Sequence, residues 1–213
     1  MDAISSVEKI EDKNLYELII INDGSTDEYT NTLLKELSDK GYYVIFQENK
    51  GLATSRNNAI SISKGEYILP LDADNKIRPE YIYKGINILD SNKDISIVFG
   101  DAAMFGDVNG RMVQGPYNMQ KLMIYNYIDA CAIYRKSIWE ANGGYDKNMA
   151  YPGIEDWDLW LGSSFKGFKF YYIDEILFDY RVLKNSMIRQ LRASKIKSDA
   201  NVEYMINKHR EYY

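Results

Sequence analysis

Short apolar runs alternate with amphipathic stretches through residues 15–100. Leu18, Ile19, Ile20 and Ile21 form a continuous apolar run ending in Asn22-Asp23-Gly24, the pattern of a strand buried on both faces and then a turn. Over 27–40, Leu33, Leu34 and Leu37 fall on one helical face, and Gly41 stands where a helix C-terminal cap belongs. Residues 42–46, β-branched and aromatic, predict a second strand, and 52–64 a helix stopped by Gly65. A short apolar strand follows at 67–71; Pro79 then opens a helix carrying Ile82, Ile86 and Leu89, and 95–99 is again a strand. This alternation predicts an α/β fold, a mostly parallel sheet covered by helices on both faces. Ligands of such sheets bind beyond the carboxyl ends of the strands.

The second half is less regular. Gly106, Gly110, Gly115 and Pro116 mark 101–117 as a loop or hairpin. Helices are expected at 118–127 and 136–142, the second capped by Gly143-Gly144, with a strand at 130–134 between them. A helix at 155–165 and strands at 168–173 and 176–182 complete a domain over 1–184. Residues 185–213 read as a polar, mildly basic helical tail.

Composition narrows the chemistry. The 213 residues are 46% hydrophobic and 27% charged, an ordinary globular balance that can bury a sizeable core. A net charge of -5 argues against a general nucleic-acid binder. Cys131, the single cysteine, rules out an intrachain disulfide and points to a reducing compartment. His209, the single histidine, excludes sites that need two imidazoles. It also lies in the tail, so no Ser-His-Asp arrangement is expected beside the acidic motifs. No apolar run approaches the ~18 residues of a membrane span, and residues 1–14 lack a signal peptide's apolar core. The expectation is a soluble, cytoplasmic protein whose chemistry rests on carboxylates. Its 19 tyrosines suit either sugar and base stacking or core filling.

Three acidic clusters stand out. In Asp23-Gly24-Ser25-Thr26-Asp27, either Ser25 or Thr26 caps the following helix with Asp27 near its positive end, or Asp23 accepts hydrogen bonds from a nucleotide base. In Asp72-Ala73-Asp74, residues i and i+2 share a side of an extended segment, so both carboxylates either converge on Mg²⁺ or Mn²⁺ or are solvated separately. In Glu155-Asp156-Trp157-Asp158, three carboxylates in four positions exceed what helix capping needs. One of them, desolvated beside Trp157, would approach the range of a general base. Arg56 pairs either with a phosphate or with a surface carboxylate, and no phosphate-loop or dinucleotide fingerprint is present.

In order, these stretches resemble the family 2 glycosyltransferases of the GT-A fold. The matching segments are 18–27 (LIIINDGSTD), 49–60 (NKGLATSRNNAI), 64–75 (KGEYILPLDADN), Ile77-Arg78-Pro79, 143–146 (GGYD) and 153–160 (GIEDWDLW). The resemblance implies inverting transfer of a sugar, UDP-linked by expectation, to the hydroxyl of a saccharide or lipid-linked acceptor in polysaccharide biosynthesis. Residues 1–100 would form the nucleotide-sugar half and 101–184 the acceptor half. The resemblance further implies that Asp23 contacts the base of the donor, Asp72 holds the ribose or the metal shell, and Asp74 ligates Mn²⁺ or Mg²⁺. On the same resemblance Asp156 would be the general base and Glu155 would orient acceptor or base, and Arg56 is expected at the nucleotide site.

The chain departs from the family's pattern at three places. Met1-Asp2-Ala3-Ile4 matches the middle of the helix that follows the family's first strand, so that strand and its loop are expected to be missing. Leu183 stands where many relatives carry a histidine, and Pro70 interrupts a buried strand. The first departure sustains a second expectation, a truncated or silent homologue acting as a nucleotide-binding or interaction module. A processive synthase is disfavoured, since Gln-x-x-Arg-Trp is absent. The tail is expected to pack back on the domain, to join a second subunit in a homodimer, or to lie on the inner face of an anionic membrane. Tyr117, Tyr125 and Tyr127 serve either as sugar platforms or as core.

Overall fold

In the computed structural model, which describes residues 1–213, the first apolar run becomes β1 (Ile19–Asp23). It pairs in parallel with β2 (Tyr43–Gln47), from Ile19 opposite Tyr43 to Asp23 opposite Gln47. Between them, α2 (Glu28–Asp39) crosses over; it follows a short first helix, α1 (Asp2–Val7). The cap of α2 is Asp27, whose carboxylate accepts from the Thr30 N–H at 2.8 Å, and not Ser25 or Thr26. The Asn22 side chain holds the Ser25 N–H at 2.9 Å, so the turn after β1 is still closing at Ser25 and the helix starts beyond it.

Helix α3 (Leu52–Ile62) leads to β3, which is only Tyr67–Ile68. The expected strand to Leu71 stops short because Pro70 has no N–H for a ladder and fixes its own φ. The loop that follows carries Asp72 and Asp74 into β4 (Lys76–Ile77) and α4 (Pro79–Ser91). Tyr81, Ile82, Gly85 and Leu89 face inward from α4 at helical spacing.

The longest ladder pairs β5 (Ile95–Gly106) in parallel with β8 (Lys169–Val182). Strand β5 runs on through the start of the expected loop and turns into β6 (Gly110–Met112). The two strands expected at 168–173 and 176–182 are one, because the register slips opposite Gly100 and Asp101 and leaves Asp174 and Glu175 in a bulge. Strand β7 (Ile133–Arg135) lies antiparallel to both β3 and β5. The order is therefore β3-β7-β5-β8-β4, with β6 on β5, beside the separate pair β1-β2. The sheet is mixed: helical crossovers join the parallel pairs, and antiparallel pairs fill the rest.

Helices α5 (Met119–Ile124), α6 (Lys136–Asn142) and α7 (Glu155–Phe165) cover one face of this sheet. Trp160, Tyr134, Phe99 and Leu159 form the centre of that core. The tail becomes α8 (Met187–Ala193) and α9 (Lys195–Lys208), and it packs back on the domain: Leu191 and Met205 are buried in the same core. No helix is long and apolar enough to cross a membrane.

Candidate active site

Asp23 ends β1 with both carboxylate oxygens engaged. Oδ1 accepts from Lys50 N at 2.8 Å and from the Gln47 amide at 2.7 Å, and Oδ2 accepts from Gly51 N at 2.9 Å. Burial opposes the charge, but these donors outweigh it and hold the carboxyl below its usual value. Asp23 thus ties the end of β1 to the turn that opens α3. Gly24 permits the approach: its φ is +70°, and a Cβ there would lie 2.6 Å from Asn49 N.

Arg56, on α3, links the loop after β3 to the start of α7. Its Nη2 meets Asp72 Oδ1 at 2.7 Å and its Nη1 meets Glu155 Oε1 at 2.7 Å, with the guanidinium 5.4 Å from the centre of the Tyr145 ring. The arginine and Glu155 side chains are only 10% and 6% exposed, whereas Asp72 is 38% exposed, so one arm of Arg56 meets a half-exposed carboxylate and the other a buried one. Burial works against the Arg56 charge, and the carboxylates of Asp72 and Glu155 reverse that and raise its pKa. Glu155 also accepts from Gly153 N through Oε2 at 3.0 Å.

Asp74 is exposed at the tip of the loop. Partial desolvation and then the neighbouring Asp72 charge raise its carboxyl above the usual value. Arg181 braces this loop, donating from Nε to Asp74 O at 3.0 Å and from its backbone N to the buried Asn75 Oδ1 at 2.8 Å. No three His, Cys, Asp or Glu side chains are grouped as a protein-only metal cage. Two carboxylates of which one is open suit a hydrated divalent ion that completes its shell with phosphate oxygens.

Asp156 is the second residue of α7 and is 8% exposed. Burial, reinforced by Glu155 and opposed by Arg56, pushes its pKa up to about 8. Its Oδ2 accepts from the Asn126 amide at 3.0 Å, and Asn126 Oδ1 is buried without a partner. Asp129 adds another carboxylate, raised to about 7 by burial and then by Asp72. Its backbone N–H is held by Gln114 Oε1 at 3.0 Å, and its Oδ1 accepts from Cys131 N at 2.9 Å. Sequence reasoning missed both Asn126 and Asp129. For Asp129 the signal was present, an acid beside a short apolar run as at Asp72; for Asn126 there was none.

Among the tyrosines, Tyr117 stacks on Phe170 with ring centres 4.4 Å apart, which is core packing. Tyr127 lies under Lys121 and accepts from Asn118 N at 2.7 Å, whereas Tyr125 is 48% exposed at the edge of the site. Leu183 is exposed. Its place in the tail does not keep the single histidine away from the acidic motifs: His209 returns to the third cluster, with Nε2 2.8 Å from Asp158 Oδ1.

The family model described as Glycosyl transferase family 2 matches residues 2–143. An uncharacterized glycosyltransferase of Rickettsia prowazekii is 30% identical, over 95% of this chain and 64% of that protein. One from Methanocaldococcus jannaschii is 25% identical, over 86% of this chain and 66% of that protein. The chain thus spans just under two thirds of the length of these two relatives. Among solved structures, S. aureus TarS 1-349 superposes with a TM-score of 0.67 at 19% identity, over 84% of this chain and 56% of that one. TarS 1-349 in complex with UDP gives 0.65 at 17% identity, over 98% and 67%. These superpositions establish the GT-A fold.

Proposed function

The chain belongs to glycosyl transferase family 2, and from that premise we propose that it moves a sugar from a UDP-linked donor to an acceptor hydroxyl with inversion. The observation that carries this reading is the Asp72–Arg56–Glu155 bridge, in which one buried guanidinium touches the donor-side loop and the start of α7. Asp72 and Glu155, 16 and 99 residues from Arg56 along the chain, therefore meet on one guanidinium. The UDP complex of a structural neighbour supports a uridine nucleotide.

In this reading Asp74 and Asp72 are the residues that would hold Mn²⁺ or Mg²⁺. The bound ion would offset the charge that develops on the departing diphosphate. Asp156 takes the proton of the acceptor hydroxyl as that oxygen attacks the anomeric carbon, a single displacement that needs one base. A pKa near 8 makes it a stronger base than a solvated aspartate while leaving a deprotonated fraction at neutral pH. Asn126 lies beside it with an unpaired acceptor oxygen that suits the same hydroxyl or its neighbour. Glu155 holds Arg56 and the Gly153 backbone, and so keeps the base in place; Arg56 is available to the diphosphate once a donor competes with Asp72.

Calorimetry with UDP and Mn²⁺, followed by UDP release from a panel of UDP-sugars, tests the proposal. UDP affinity should fall at least about tenfold in EDTA, and equally in Asp74→Asn, since the metal links protein to diphosphate. Metal-independent UDP binding, or none, would sink the donor assignment. Metal-dependent binding without turnover would favour the binding module.

A further inference from the structure

One face of α9 grips the polypeptide that leads into Glu155 and Asp156. Asn201, Tyr204 and Lys208 stand three and four residues apart and share a side of the helix, and His209 follows at its end. Asn201, 1% exposed, pairs with the backbone of Tyr151, donating to its carbonyl at 2.7 Å and accepting from its N–H at 3.3 Å. The Tyr204 hydroxyl and Lys208 Nζ both donate to Asp146 Oδ2, at 2.8 and 2.6 Å. Lys208 Nζ also reaches Asp158 Oδ2 at 2.7 Å, and His209 Nε2 meets Asp158 Oδ1 at 2.8 Å. Both oxygens of Asp158, a side chain 5% exposed, are therefore held by the tail.

The gripped segment has little regularity of its own. Between Asn142 and Glu155 there is neither helix nor strand. Its far end is tied to the candidate site through the Gly153 N–H on Glu155 Oε2. Asp158 lies one residue beyond Trp157, whose N–H donates to Asp156 Oδ1 at 2.8 Å. Burial opposes the Lys208 charge, but Asp158 and Asp146 outweigh it and raise its pKa, so the ammonium stays charged while it bridges them.

We propose that this face of α9 is a positioning element for the Glu155–Asp156 pair: Asn201, Tyr204, Lys208 and His209 fix the 146–153 loop and Asp158, and thereby the orientation of the carboxylate base. The inference rests on Asp156 being that base. A base displaced by about 1 Å loses on the order of a hundredfold in rate even when ligands still bind. The tail should therefore govern turnover while leaving the nucleotide half untouched.

The test compares His209→Leu and Lys208→Met with His209→Gln, which keeps an N–H donor near the Nε2 position. Three readouts are taken: UDP affinity with Mn²⁺, kcat and donor KM for UDP release, and hydrogen exchange over 146–158. The expected result for the first two variants is a kcat about tenfold or more lower, with donor KM and UDP affinity within about threefold of the parent. His209→Gln should recover most of kcat, and faster exchange should be confined to 146–158. Unchanged kcat in both variants overturns the proposal, as does a joint fall of kcat and UDP affinity with faster exchange throughout the chain. If the parent chain releases no UDP, the glycosyltransferase reading fails separately. Exchange then decides the grip: unchanged rates at 146–158 in His209→Leu overturn it, and faster rates confined there uphold it.

Discussion

At the residue scale, Asp156 has a predictable cost and a predictable use. Burial first, then the Glu155 charge, keep its proton bound to about pH 8, whereas an unfolded aspartate releases it near pH ~4. Across that window the native state binds more protons than the unfolded state, so stability falls as pH rises and levels off above pH 8. Asp156→Asn should match the parent at and below pH ~4 and become more stable above it, by on the order of a few kcal/mol at pH 8 and above. Thermal unfolding at a series of pH values checks this; a constant difference at all pH values would contradict it. The same substitution should lower turnover about 10²-fold or more, and the parent's rate should climb with pH towards a plateau above about 8. Asp129, raised to about 7, shifts stability in the same direction and remains in the variant.

At the element scale, α4 and β7 show how closely the layers approach. Gly85 faces Ile133, and a Cβ at Gly85 would stand 2.3 Å from the Ile133 Cδ1 atom. Gly85→Ala should therefore cost about 1–3 kcal/mol through overpacking, even though alanine favours a helix. Adding Ile133→Val removes the clashing methyl and should restore part of the loss, a coupling that urea unfolding of the double-mutant cycle would read. Additive losses would show that the contact is not the cause. The start of α7 at Glu155 and of α4 at Pro79 were legible from acidic and proline signals that act within one helical turn. The fusion of two expected strands into β8 was not, because Asp174 and Glu175 look like a break until β5 supplies a ladder on either side of the bulge.

At the scale of the whole molecule, the two sheets differ in how firmly they are held. Residues 96–102 of β5 are all buried, while β1 and β2 are mostly half-buried or exposed, and β1 pairs on one side only. Native-state hydrogen exchange should find Val98 and Phe99 among the slowest amides, and Ile19–Asp23 and Tyr43–Gln47 at least about tenfold faster. Equal protection in the two sheets would mean that they open as one unit. The tail belongs to the firm part, since Leu191 and Met205 enter the core around Trp160.

Hydrophobic periodicity and capping chemistry act over about ten residues, and whatever lies within that reach was determined by sequence alone. That covers the order of most elements, the α/β class, and the clustering of carboxylates in a chain with one histidine and one cysteine. Meetings between distant side chains depend on how the layers pack. Only the folded chain pairs Arg56 with Glu155 across 99 residues, or sets Asn126 against Asp156. The tail histidine gave no local sign of a partner. It meets Asp158 across 51 residues because burying Leu191 and Met205 folds the tail back against α7.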